Sequence, residues 1–342
     1  MKTSSKIILG SVIALFIGGI IMLIGLSLGI KNGVAIDFKG IHIKDGKTIK
    51  IEELNLEEIK NMDINVDYSN VQIIEGDTYG IEISTEEGDK IDWSLENGTL
   101  KISQKQDKKA SLFNFNIPFW GSLNLENFYV KVYIPNTAEV ENISIKVSCG
   151  TLIIDNVDAK TFNIDNDYGD ITFNNIITET VNIELDCGSL KATNVEATSM
   201  KIKNSYGDID IKDIKATEFD SKLSCGSIDI KTSEIETANI YNDYGDIEIE
   251  SLKASKCTIE SSCGDIDLSG DITNYLEIKS DLGSVEVKLD KDISNYSCDI
   301  NTDLGSVTIN NQKLKTNYTS IKDDAGVLKI TNDCGDIKVS SK

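Results

Sequence analysis

The sequence contains no arginine, a single histidine and only 2 prolines in 342 residues. Without arginine the chain lacks the planar guanidinium that binds phosphates and carboxylates in a bidentate manner. Because His42 is the one imidazole, sites built on several histidines are excluded. The 34 lysines are outnumbered by 56 acidic residues, which gives a net charge of −22. This charge argues against a nucleic-acid partner, since phosphate backbones are bound by clustered cations.

Residues 7–30 form an apolar run without a charged side chain, long enough to cross a bilayer as one tilted helix. We predict an uncleaved transmembrane helix here, because no signal-peptide cleavage motif follows. Two lysines before the run favour a cytoplasmic N-terminus over 1–6 and place 31–342 outside the membrane. Five lysines within the next 20 residues oppose this orientation. Residues 31–60 are predicted to be a juxtamembrane spacer.

Small residues fall on one side of this predicted helix. Gly18, Gly25 and Gly29 are part of that strip, and Gly25-x-x-x-Gly29 is a minimal motif for close helix contact. The strip predicts a protein partner within the membrane. The alternative is that glycine is simply frequent in membrane helices.

A strict repeat follows in the second half of the chain. Glycines recur every 19 residues from Gly150 to Gly283, and the spacing loosens towards Gly305, Gly326 and Gly335. Self-similarity at about 20 residues is typical of a solenoid. The glycines are predicted to turn a corner with positive φ, followed by Asp, Ser or Thr bonded to the local backbone.

Apolar residues stand two and four residues after each glycine. The alternation then shifts by one residue, with apolar residues at seven and small ones at nine, and a third stretch alternates at twelve and fourteen. Alternation predicts strands buried on one face, and stacked coils would bury one inner column. We therefore predict an all-β fold, a β-solenoid of about ten 19-residue coils over 141–342. Residues 61–140 are predicted to be an irregular β region that caps the solenoid, with a hairpin turn at Asn97-Gly98.

The position before each glycine alternates between tyrosine and cysteine from Cys149 to Cys263. Two residues earlier, asparagine accompanies tyrosine and leucine accompanies cysteine in the middle of the array. We predict that both positions point inward, so that a large ring in one coil lies over a small thiol in the next.

The seven cysteines are an odd number, so at least one thiol is unpaired in an exported protein. Cysteines two coils apart would be separated by about 10 Å at a coil spacing of about 4.8 Å. That distance exceeds the limit of about 7 Å for bridged α carbons. We predict buried free thiols acting as small hydrophobic residues. Free thiols are more typical of the cytosol, which opposes an outside location.

Acidic corners at 165–170 and 242–246 gather carboxylates of the kind that bind calcium. They lack the pattern of calcium-binding β-rolls, and turn formation accounts for them. Paired acids for glycoside hydrolysis occur by chance among 56 carboxylates. His42, between two isoleucines, is predicted to be a surface residue. We assign no catalytic residue, no cofactor and no metal site.

The arrangement resembles a bacterial family of β-strand-repeat domains of unknown function labelled "putative adhesin". The resemblance rests on Asp-Ile-Asn-Val-Asp-Tyr at 63–68, Val-Lys-Val-Tyr-Ile-Pro at 130–135, and Gly-Asp-Ile-x-Ile at 207–211 and 245–249. It extends over 60–342 together with the N-terminal anchor. The resemblance implies a membrane-tethered envelope protein, in some members linked to envelope stress responses. It carries over no catalytic residues.

Together these patterns predict a non-enzymatic, membrane-anchored, extracytoplasmic β-solenoid that acts as an adhesin-like or cell-envelope interaction module with a surface ligand. One alternative is an accessory of envelope-stress signalling that works through the predicted helix. Another is a carbohydrate-active enzyme on a β-helix, which would release new reducing ends from envelope glycans.

Overall fold

The computed structural model describes residues 34–37, 40–43, 48–86, 89–105 and 128–341. Within these ranges the chain is all β, apart from one 3₁₀ turn at Ile293–Asn295. The predicted membrane helix over 7–30, with its glycine strip, lies outside them. Among the residues described, no helix combines the length and hydropathy needed to span a membrane.

The strands divide into an N-terminal group, a repeat and a C-terminal group. The N-terminal strands are β1 (Val34–Asp37), β2 (Gly40–Ile43), β3 (Thr48–Leu54), β4 (Asn61–Val66), β5 (Asn70–Glu75), β6 (Gly80–Glu86), β7 (Lys90–Glu96), β8 (Thr99–Lys105) and β9 (Tyr129–Ile134). The repeat contains β10 (Val140–Val147), β11 (Leu152–Asp155), β12 (Ala159–Tyr168), β13 (Ile171–Cys187), β14 (Leu190–Tyr206), β15 (Ile209–Cys225), β16 (Ile228–Lys231), β17 (Glu234–Tyr244), β18 (Ile247–Cys263), β19 (Ile266–Leu282) and β20 (Val285–Leu289). The C-terminal strands are β21 (Tyr296–Leu304), β22 (Val307–Ile309), β23 (Gln312–Lys313), β24 (Asn317–Ser320), β25 (Gly326–Cys334) and β26 (Ile337–Ser341).

Each coil of the repeat lies parallel to the next, with residues 19 apart in register. Ile171 pairs with Leu190, and Leu190 pairs with Ile209. Alternate residues point inward and form one continuous core of isoleucine, valine and leucine, completed by an edge-to-face contact between Phe162 and Phe173. The predicted repeat architecture is confirmed, because period-2 alternation in stacked coils buries one side of every strand.

The predicted change of parity has a backbone cause. Six residues after each corner glycine, from Asn156 to Ser251, a non-glycine residue adopts φ between 49° and 58°. Asparagine occupies three of these six positions and tolerates the left-handed region well, because its short side chain bonds locally. This left-handed residue bends the strand, so the next inward position comes three residues after the previous one.

The glycine corner is a second bend, and here the coils approach each other closely. The glycines from Gly150 to Gly283 have φ between 123° and 155°, as predicted. A Cβ added to Gly207 would lie 2.1 Å from the carbonyl oxygen of Gly188 in the neighbouring coil. The same close approach recurs through the column up to Gly335 and Gly305. Glycine is therefore required both by φ and by space from Gly150 to Gly283 and at Gly335, and by space alone at Gly305.

The order of coils in space differs from their order in the chain at both ends. Strand β4 pairs in parallel with β8 and β10, and β5 pairs with β9 and β11. At the other end, β25 pairs with β19 and β21, and β26 pairs with β20 and β22. The coil over residues 326–341 is therefore inserted between two coils that precede it in sequence.

Antiparallel strands finish both ends of the stack. At one end β3 pairs with β6, β6 with β9, and β7 with β8 through the predicted Asn97-Gly98 turn. Both turn residues have positive φ, as a two-residue hairpin requires. At the other end β24 lies antiparallel to β21. These strands cover edges that would otherwise pair with another chain.

Candidate interaction surface

Buried asparagines tie the glycine corners together in pairs. The Nδ2 of Asn204 donates to the carbonyl oxygens of Gly188 at 3.0 Å and Gly207 at 3.1 Å. Asn166 and Asn242 make the equivalent pair of bonds. One asparagine satisfies two neighbouring corners, so the next coil can carry an apolar residue at this position. This sharing accounts for the alternation of asparagine and leucine inside the stack.

The prediction that tyrosine and cysteine also point inward is wrong. Tyr168, Tyr206 and Tyr244 are 60, 61 and 62 % exposed. Cys225 is exposed, and the other cysteines before corner glycines are partly exposed. The chain begins to turn between the buried asparagine and the glycine, so strand parity no longer applies at the residue between. Ring and thiol therefore alternate along the outside of the corner, where they form a raised row.

This row, which we call the corner ridge, alternates large and small side chains in space along eleven coils. Tyr68 belongs to it because Val66, two residues earlier, pairs with Val147, two residues before Cys149. Leu282 pairs with Cys334, which in turn pairs with Leu304. In spatial order the ridge is Tyr68, Cys149, Tyr168, Cys187, Tyr206, Cys225, Tyr244, Cys263, Leu282, Cys334 and Leu304.

The alternation on the ridge is independent of the buried asparagines. Near the C-terminal end Asn332 belongs to the coil of Cys334, whereas Leu282 stands on a coil with buried Ser280. The inner pattern has therefore changed while the outer one continues. In the chain, Leu282 is followed by Leu304, and only the inserted coil restores a small residue between them. Large side chains therefore stand on every second coil in space, although neither the buried residues nor the order of coils in the chain follows this pattern.

Acidic residues border the ridge on both sides. The eleven four-residue corners, each starting two residues before the glycine or Ser69, contain twelve aspartates and no lysine. Several of these carboxylates also bond the neighbouring coil, as where Asp170 accepts from the Ser189 backbone N–H at 2.9 Å. These bonds run between coils, whereas we predicted bonds to the local backbone. The ridge is therefore apolar at its crest and negative along its flanks.

The other faces differ in chemistry, because their charges are matched. Lysines there pair with acids one coil away, as in Lys215–Glu196 at 2.9 Å and Lys253–Glu234 at 2.6 Å. These pairs line a shallow groove of about 630 Å³. A second groove of about 350 Å³ is lined by three lysines, and the ammonium of Lys222 lies 4.9 Å from the centre of the Tyr241 ring.

One polar cluster lies near the N-terminal end of the stack. Glu82 accepts from the Tyr129 hydroxyl at 2.5 Å and from Tyr133 at 3.2 Å, and the Lys131 ammonium lies 3.9 Å away. The hydrogen bond to Glu82 raises the pKa of Tyr129 to about 12, and these donors lower the pKa of Glu82. The cluster is an internally satisfied network that joins β6 to β9.

All seven cysteines are free thiols, as predicted, but only Cys257 and Cys298 are buried. Burial raises the pKa of Cys257 to about 12. The prediction of buried thiols is wrong for the five ridge cysteines, because the ridge lies outside the core. In the ranges that the structure describes, no group of three or more His, Cys, Asp or Glu side chains could hold a metal ion. Gly18, Gly25 and Gly29 lie outside these ranges, and His42 lies in β2.

A family model described as Toastrack DUF4097 matches residues 59–213 and 199–340, which confirms the resemblance predicted from the repeat. No curated protein matches the chain. Among solved structures, a "putative adhesin" from Bacteroides fragilis is 14 % identical with a TM-score of 0.35, over 87 % of this chain and 99 % of that chain. A "putative lipid binding protein" from Parabacteroides distasonis is 14 % identical with a TM-score of 0.46, over 87 % and 98 %. A "putative adhesin" from Parabacteroides merdae is 10 % identical with a TM-score of 0.45, over 87 % and 97 %.

Proposed function

The chain belongs to the Toastrack DUF4097 family, and we propose that it is a non-enzymatic, adhesin-like interaction module of the cell envelope. In this proposal residues 7–30 anchor the chain in the cell membrane, and residues 31–342 lie outside. The stack of coils presents the corner ridge to a binding partner.

The observation that carries this proposal is the corner ridge. Exposed, contiguous apolar rows on a soluble surface are typical of sites that bind another molecule. The ridge extends over eleven coils, or about 48 Å at a coil spacing of about 4.8 Å. Its side chains stand on a rigid sheet, so their spacing is fixed before a partner arrives, which lowers the entropic cost of binding.

The first test concerns function. Cells that carry the full chain with Tyr168, Tyr206 and Tyr244 replaced by serine should lose attachment to other cells and to surfaces. A control with Ile177→Ser and Ile321→Ser removes exposed apolar side chains away from the ridge and should attach like the wild type. If both variants attach equally well, the ridge is not the adhesive surface.

The second test concerns location. Protease treatment of intact cells should remove the C-terminal region without lysis, and lysed cells digested in parallel show whether the stack can be cleaved at all. Protection in intact cells combined with cleavage after lysis would place the coils in the cytosol and overturn the proposal. The non-enzymatic part is tested separately: new reducing ends after incubation of the purified full chain with envelope glycans would contradict it.

A further inference from the structure

We propose that the corner ridge binds an extended cationic polypeptide segment that carries a lysine or arginine at every third residue over Tyr168, Tyr206 and Tyr244. Apolar residues at the two following positions of the same three-residue period would lie over Leu282 and Leu304. This inference rests on the proposed function and names the chemical class of its partner.

The spacing of the ridge selects an extended polypeptide. Large side chains stand on every second coil, so their period is about 9.6 Å at a coil spacing of about 4.8 Å. A polyproline II helix advances about 3.1 Å per residue and has three residues per turn, so every third side chain lies on one face about 9.3 Å from the last. A β-strand does not fit this spacing, because its side chains alternate between two faces and every third side chain therefore changes face.

The charge of the ridge selects a cation. The eleven corners contain twelve aspartates and no lysine. Lysines on the other faces, by contrast, pair with acids one coil away. A basic side chain that crosses the ridge would place its charge over an exposed tyrosine ring and within reach of an aspartate at the same corner. Asp167 and Asp170 flank Tyr168, and Asp243 and Asp246 flank Tyr244.

The small residues of the ridge complete the fit. A cysteine between two large side chains leaves a notch, as Cys225 does between Tyr206 and Tyr244. The two residues between successive basic side chains would lie over such a notch. Each tyrosine could then contact the stem of the basic side chain without a steric conflict from its neighbours.

The ridge changes character towards the C-terminal end. Tyrosine is replaced by leucine at Leu282 and Leu304, which are 51 % and 71 % exposed. A leucine offers apolar contact but no π face for a cation. Opposite Tyr168, Tyr206, Tyr244, Leu282 and Leu304, the matching segment therefore has three basic positions followed by two apolar ones, all three residues apart, in one of the two chain directions. Tyr68 is left out of this match because its ring packs edge-to-face against Phe128.

The test uses the full chain purified in detergent and a 17-residue synthetic peptide of lysine, leucine, proline and serine. Lysines stand at positions 1, 4 and 7, and leucines at 10 and 13; a second peptide has the reversed sequence. A control peptide has the same composition with the lysines and leucines four residues apart. Affinity is measured by fluorescence anisotropy at physiological ionic strength, and one of the two period-three peptides should bind about tenfold more tightly than the control.

A phase-shifted variant provides the matched control on the protein. Tyr206→Cys combined with Cys225→Tyr keeps the composition of the ridge but moves one large side chain by one coil. This variant should lose the preference for period three and retain only the weak binding that its negative charge gives to any cationic peptide. Unchanged circular dichroism and melting would show that the stack is intact.

Three results would overturn the inference. Equal affinity for period-three and period-four peptides would mean that net charge alone attracts them. Unchanged preference in the phase-shifted variant would place the peptide elsewhere on the chain. Binding of a neutral envelope oligosaccharide in place of the peptides would assign the ridge to glycans. If any of these occurs while the triple-serine variant still abolishes attachment, the proposed function stands and only the partner class is wrong.

Discussion

The close approach of the coils at their corner glycines predicts that Gly207→Ala lowers stability strongly. The added Cβ would lie 2.1 Å from the carbonyl oxygen of Gly188, and the corner would have to retreat by 3.4 − 2.1 = 1.3 Å to reach ordinary contact. Such a shift breaks two backbone hydrogen bonds. The Gly188 N–H donates to the Tyr206 carbonyl oxygen at 2.9 Å, and the Gly207 N–H donates to the Cys225 carbonyl oxygen at 3.0 Å.

The magnitude follows from two contributions. A φ of 123° lies beyond the left-handed helical region and costs an L-residue about 1–3 kcal/mol, and two lost backbone hydrogen bonds cost about 1 kcal/mol each. We expect a loss of about 3–5 kcal/mol. Gly98→Ala is the control, because Gly98 also has positive φ but its added Cβ comes no closer than 3.5 Å to Lys60. That change should cost about 1 kcal/mol.

The assay combines chemical denaturation followed by circular dichroism with hydrogen exchange. Stacked repeats can unfold in parts, so exchange is needed to show whether the loss is centred on the coils around Gly207. Amides of the neighbouring corners should exchange faster than those of the distant β7–β8 hairpin. If Gly207→Ala and Gly98→Ala destabilise equally, close approach between coils is not what requires glycine.

Four further outcomes are expected. Asn204→Leu should lower stability by about 2 kcal/mol in denaturation, because two glycine carbonyls lose their donor. Thr232→Asn should raise the melting temperature, since a β-branched residue is strained at φ 49° and asparagine is not. Maleimide should label the five ridge cysteines of the native protein by mass spectrometry but leave Cys257 and Cys298 unmodified until unfolding. Glu277→Gln should cost about 1 kcal/mol at pH 7, because hydrogen bonds from a lysine and a tyrosine lower the pKa of this carboxyl below 4.5. That stability is present above pH 4.5 and lost as the pH falls through the lowered pKa, so titrated melting of wild type and variant should converge in acid.

The repeat itself could be predicted from the sequence because each of its causes is local. The 19-residue glycine period, the strand alternation and the parity change at Asn175 and its equivalents all reflect backbone geometry within one coil. The Asn97-Gly98 hairpin was predictable for the same reason. A residue type that tolerates positive φ leaves a direct signature in the chain.

The candidate surface could not be predicted, because it depends on where the inward–outward alternation of a strand ends and on which coils become neighbours in space. Extending the strand alternation past Asn166 places Tyr168 inside, whereas the bend towards Gly169 turns it outside. The insertion of Cys334 between Leu282 and Leu304 depends on long-range docking that no local pattern specifies. One signal was present: two leucines in succession interrupt the tyrosine–cysteine alternation, and the missing small residue stands in the last coil.

The inserted C-terminal coil has a consequence for how the chain is made. A solenoid whose coils stack in chain order can lengthen as each coil leaves the ribosome or the export channel. Here the coil of β21 and β22 has no parallel neighbour until residues 326–341 have been synthesised and docked between it and the coil of β19 and β20. The last strands therefore act as a completion step, and a nascent chain that stops before them leaves two levels of the stack unassembled.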